Sequence, residues 1–83
     1  MKIRIPLNVE AQFLKSGKIK PRRIIVDERT LEITKVLDIR PFYPSVSSIA
    51  PLEYTVLIEG LIKKIYFEAE TSKWFAVGED NGN

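Results

Sequence analysis

The sequence predicts an all-β fold, a small antiparallel meander of five to six strands. Three observations point there. Apolar residues recur with a period of two in several short segments. Turn-forming residues separate those segments near positions 16, 28, 45, 60 and 72. No stretch carries a long amphipathic helical pattern.

The elements follow in order. Leu7, Val9, Ala11 and Phe13 fall on one side of a strand, with Asn8, Glu10 and Gln12 on the other. Lys15 to Lys18 brings a turn at Gly17. Ile19 to Val26 returns as the second strand. Pro21 has no N–H, so this strand is expected at an edge or bulged near that point. Asp27 to Thr30 is a polar turn.

Leu31 to Ile39 is β-branched and apolar, but its alternation slips. Leu31 and Ile33 share a face, Val36 has the opposite parity, and Lys35 would point inward in a regular strand. A bulge near Thr34 and Lys35 restores the pattern. A short helix is the rival, because Ile33, Val36 and Leu37 stand at helical spacing; the strand is preferred. Arg40 to Pro51 holds three prolines and three serines and reads as a long loop. Leu52, Tyr54, Val56 and Ile58 then alternate cleanly. Gly60 turns the chain into a strand with Ile65, Phe67 and Ala69 on one parity, and Glu70 to Lys73 turns it again. Trp74 to Val77 closes the sheet. Residues 1–77 form one domain and 78–83 a polar tail. The expected closure is a curled sheet or an SH3-like barrel. An OB-fold would need a helix for which the sequence has no obvious place.

The bulk numbers bound the chemistry. An 83-residue chain is one domain, and it buries only about 60–65% of its unfolded surface, so its stability margin is thin. Hydrophobic residues at 45% and charged residues at 29% give an ordinary globular balance. No run approaches the roughly 18 apolar residues of a membrane span. The N-terminus has a basic start but no apolar core of a signal peptide, so a cytoplasmic protein is expected. Cysteine and histidine are both absent. That removes disulfides, thiolate chemistry and Ser-His or Cys-His nucleophile systems, and leaves zinc sites without their usual ligands. Neither a cofactor nor a metal is expected.

The order of landmarks resembles a family of small, uncharacterised bacterial β-domain proteins of unknown function. The shared pattern is a proline before an apolar strand, here Pro21, then Leu31 with Ile33, Val36 with Leu37, Tyr54 with Val56, and a tryptophan near the C-terminus, Trp74. It covers roughly Phe13 to Val77. The resemblance implies a bacterial, intracellular β domain and carries over no catalytic residue.

Charge is uneven along the chain. Residues 1–40 hold ten Lys or Arg against five Asp or Glu, a net of +5; residues 41–83 hold three against six, a net of −3. Lys15, Lys18, Lys20, Arg22 and Arg23 crowd the first hairpin. In a regular strand Lys18, Lys20 and Arg22 share a face, which suits contacts along a nucleic-acid backbone. The same lysines also blunt a strand edge against unwanted pairing, and that reading carries more weight. Single-strand binders add aromatic stacking platforms, and Phe42, Tyr43, Tyr66 and Trp74 are not interleaved with the basic run.

Three aromatic positions are candidate partner contacts. Phe42 and Tyr43 lie between prolines in the long loop, where they either dock a partner or fold over an open end of the sheet. Trp74 faces either inward or outward; a lone tryptophan in a terminal strand is more often core. Asp27, Glu28, Glu32 and Asp38 read as turn and solvent-face residues rather than an acid–base or hard-metal cluster. The serines at 45, 47 and 48 lack a histidine partner. The sequence therefore predicts a non-catalytic binding module, acting through a protein partner or a second copy of itself. The alternative is a nucleic-acid-binding barrel that uses the basic hairpin. No membrane partner is expected.

Overall fold

The computed structural model describes residues 2–43 and 49–79. Among the described residues six strands run in chain order: β1 (Lys2–Phe13), β2 (Ile19–Val26), β3 (Arg29–Pro41), β4 (Leu52–Ile58), β5 (Leu61–Glu68) and β6 (Lys73–Glu79). All neighbours are antiparallel, and β6 returns to β1 to close a barrel. The all-β meander expected from the sequence is therefore the fold. Among the described residues, no helix is long and apolar enough to cross a membrane.

Closure depends on two long strands that change partners. Lys2–Leu7 of β1 pairs with β6, and Asn8–Phe13 pairs with β2. Arg29–Glu32 of β3 pairs with β2, and Ile33–Pro41 pairs with β4. Sequence patterning starts the first strand at Leu7, but it begins at Lys2. The early residues are exposed on both faces, so burial does not stamp them with a period. At the other end, Gly78 and Glu79 are strand, paired with Ile3 and Lys2, although the tail was expected to begin at residue 78. A Cβ at Gly78 would lie 2.6 Å from Ile5 Cδ1, the far end of a flexible side chain.

The core is made by the inward parity of each strand. Ile24, Tyr54, Val56, Ile58, Ile65, Phe67 and Trp74 form it, with Leu7, Val9, Leu31, Ile33 and Val36 packed around them. Trp74 is 7% exposed and contacts Phe67 and Tyr54, with ring centroids 4.8 and 5.1 Å away. Phe75, on the opposite parity, is also buried. It stacks on Tyr66 at 5.2 Å, Phe42 covers Tyr66 at 4.7 Å, and the Arg4 guanidinium lies 4.3 Å from the centre of the Phe75 ring. This outer aromatic layer adds apolar area that a small barrel needs.

The irregularities follow the sequence. The β1–β2 register shifts between Glu10 and Ala11, which makes Arg22 the extra residue beside Pro21. The β3–β4 register shifts twice, with Thr34 and Leu37 as the extra residues. Two bulges put Ile33, Val36 and Ile39 on one face at intervals of three. The helix-like spacing of this segment is thus the signature of a twice-bulged strand. Lys35 pairs with Leu57 and is exposed, and the Thr34 hydroxyl donates to the Leu57 carbonyl at 3.1 Å.

A candidate binding cleft between β2 and β3

The β2–β3 ladder is short. It joins Arg23–Val26 to Glu32–Arg29 and then stops, because β3 turns away to pair with β4. Ile19–Pro21 of β2 still pairs with β1 on its other side, but toward β3 Ile19–Arg22 has no ladder partner among the described residues. The two strands splay into a wedge-shaped cleft of about 370 Å³. Leu14, Ile19, Pro21, Ile33, Val36 and Ile39 give it apolar walls. Lys18, Lys20 and Lys35, all exposed, stand along it, and among the described residues no acidic one lines it.

Hydrogen bonds at three places fix its shape. At the apex, Arg23 reaches both neighbouring strands: Nη1 donates to Glu10 at 2.7 Å, and Nε donates to Glu32 at 3.1 Å. The two carboxylates hold the guanidinium pKa above its ordinary value, through the Glu10 hydrogen bond first and the Glu32 bond second. Behind Ile19, the Tyr54 hydroxyl reaches across from β4 and donates to the Ile19 carbonyl at 2.8 Å. A carbonyl on the unpaired edge is thereby satisfied without β3. Burial pushes the Tyr54 phenol pKa up, so the donor form is favoured. At the mouth, the β1–β2 loop is held by Leu14 N–H donating to the Lys18 carbonyl and Gly17 N–H donating to the Leu14 carbonyl, both at 2.9 Å. Gly17 takes φ +89°, the left-handed residue that ends such a turn.

The five basic residues of the first hairpin therefore divide. Arg23 is a structural cross-strand tie. Lys15, Lys18, Lys20 and Arg22 are exposed and have no ion pair with any described residue, and the bulge at Arg22 breaks the face it was expected to share with Lys18 and Lys20. Lys35 joins Lys18 and Lys20, which sequence reasoning missed. The slipped alternation at Thr34 pointed to a bulge but left open whether Lys35 is buried or released, and only barrel closure brings it opposite β2. Phe13 was expected inward but is 69% exposed, because β1 runs past the end of the core.

The aromatic candidates divide as well. Trp74 lies in the core and is covered by Phe67 and Tyr54, so it presents no ring to a partner. Phe42 is half-buried on Tyr66, and Tyr43 is 72% exposed. The serines at 45, 47 and 48 lie outside the described residues. Among the described residues, no group of three or more carboxylates could hold a metal ion. Asp38 pairs with Arg40 and Glu32 with Arg23. No protein-family model, curated protein or solved structure matches the chain.

Proposed function

We propose that the chain is a non-catalytic protein-binding module whose β2–β3 cleft receives an extended, acidic and apolar segment of a partner. The observation that carries this reading is the pairing of two unladdered strand stretches with an apolar cleft flanked by three lysines. An extended chain can add hydrogen bonds along an open strand edge while alternate side chains enter pockets. Pro21 offers no N–H, so the partner's ladder forms on the β3 side. Acidic side chains complement Lys18, Lys20 and Lys35, and apolar ones meet Ile33, Val36 and Ile39. A nucleic acid would use the lysines but leave the apolar walls unused, and among the described residues no exposed aromatic lines the cleft for base stacking.

The test is fluorescence anisotropy with a labelled alternating Glu–Val peptide of about eight residues, an ordinary strand length. An alternating Lys–Val peptide and an oligothymidylate serve as comparison probes. The acidic peptide is expected to bind, the basic one not. Joint replacement Lys18→Glu, Lys20→Glu, Lys35→Glu should weaken binding at least about tenfold, a difference of about 1.4 kcal/mol. Lys73→Glu, on the β5–β6 side, should leave it unchanged. Tight oligothymidylate binding that collapses between about 50 and about 200 mM salt would replace the protein reading with the nucleic-acid one. A dimer by light scattering, with no peptide binding, would make a second copy of the chain the occupant.

A further inference from the structure

At the end of the barrel away from the β1–β2 hairpin, the β2–β3 and β4–β5 turns flank an apolar depression of about 270 Å³. Its floor is the end of the core, Leu7, Ile24, Ile58 and Ile65, and Val26 and Leu61 remain exposed beside it. The β5–β6 ladder spans only Tyr66–Glu68 and Phe75–Lys73 pairings, so the first half of β5 borders the depression without a partner from β6.

Lys63 is the informative residue. It pairs with Val56, a core residue, and so has inward parity. The missing β6 partner lets its side chain leave the barrel at the depression, where it is exposed. The other charges there are already engaged. Glu59 is held by Arg29 at 3.3 Å, and Lys64 lies 3.7 Å from Glu53. Among the described residues no ion pair holds Lys63. One uncompensated cation therefore stands over an apolar floor, an arrangement complementary to a ligand with one anionic end and one apolar end.

We propose that this depression binds a small straight-chain carboxylate, its tail on the floor and its carboxylate on Lys63. The site lies at the opposite end of the barrel from the β2–β3 cleft and does not depend on the peptide reading.

The experiment is calorimetric titration of the full chain with decanoate, decylamine and decanol, each kept below its aggregation threshold, with amide chemical-shift mapping in parallel. Decanoate is expected to bind more tightly than decanol, and decylamine most weakly. Shifts should centre on Leu7, Ile24, Ile58 and Leu61. Lys63→Glu should weaken decanoate at least about tenfold and make decylamine the preferred ligand; Lys63→Met should bring decanoate down to decanol. Lys63 is exposed, so a thermal melt should show both variants folded, and Lys15→Met, in the β1–β2 hairpin outside the depression, should keep the wild-type preference. A lysine of inward parity also serves simply to block strand pairing at an open edge. Absence of decanoate binding, equal binding of all three ligands, or binding that survives Lys63→Glu would leave only that role and overturn the proposal.

Discussion

Tyr54 illustrates how a single side chain can stand in for missing backbone pairing. Its ring is core, and its hydroxyl answers the Ile19 carbonyl that β3 abandons. Tyr54→Phe keeps the ring and strands the acceptor, so it should cost about 1–2 kcal/mol. For a domain of this size that lowers Tm by roughly 4–8 °C per kcal/mol. Amide exchange should quicken in Ile19–Arg22 before the rest of the barrel; unchanged exchange there would mean that the hydroxyl does not hold the cleft. A second residue, Glu59, sits at φ +51° beside Gly60 at φ +76° in the two-residue turn between Ile58 and Leu61. Such turns favour Asn-Gly, because asparagine tolerates the left-handed region better than glutamate. Glu59→Asn should raise stability by about 0.5–1 kcal/mol in a urea titration, although it gives up an exposed ion pair with Arg29. Neither role was legible from sequence beyond the element. Alternation assigned Tyr54 inward, but its acceptor lies 35 residues away in the chain. Trp74 and Phe75 show the same limit: both are apolar, so alternation leaves their faces undecided. The register that pairs Leu7 with Trp74 decides it.

At the scale of elements, patterning reads best where one face is buried and the other wet. β4 alternates cleanly because Tyr54, Val56 and Ile58 enter the core while Thr55 and Leu57 do not. β3 was legible in a subtler way. The slip at Thr34–Lys35 was visible, and so was its cure by a bulge, but the second bulge at Leu37 was masked because Leu37 is apolar and exposed. The β1–β2 hairpin was legible through Gly17, and that gives a clean prediction. A Cβ at Gly17 would meet nothing within 4 Å, so Gly17→Ala introduces backbone strain at φ +89° and little else. The cost should be about 1–2 kcal/mol by thermal melting. Gly78→Ala makes the opposite test. There the added Cβ meets only the far end of the Ile5 side chain, which can rotate away. A smaller loss than at Gly17 is therefore expected. The reverse order would mean that the β1–β6 contact, and not the hairpin, is the more rigid element.

For the whole molecule, barrel closure rests on the first residues of the chain, whose weak pattern hid them. Removing residues 2–6 would leave Leu7–Trp74 as the last of six β1–β6 pairs and uncover Phe75 beneath Arg4. Such a chain should lose its cooperative unfolding transition. The candidate cleft was only half legible for the same reason: its lysines are plain in the sequence, but its walls come from β2 and β3, which part only because the barrel closes elsewhere. The outer aromatic layer adds a pH dependence for the whole fold. The Tyr66 phenol pKa is raised by burial first, then by its hydrogen bond and charge interaction with Glu53, whose Oε2 accepts at 3.1 Å; burial raises that of Tyr54. In the unfolded chain both phenols ionise near pH 10. Below that pH both states hold the proton and the native contacts contribute in full. As pH climbs past 10 the unfolded state releases its protons first, so stability falls until the raised native values are passed. Tyr66→Phe cannot ionise, so its stability loses this component of the slope. Urea titrations between about pH 8 and 11 should therefore show the wild-type advantage over Tyr66→Phe shrinking as pH rises through 10. A constant difference would mean that the folded chain does not hold the Tyr66 phenol pKa above its unfolded value.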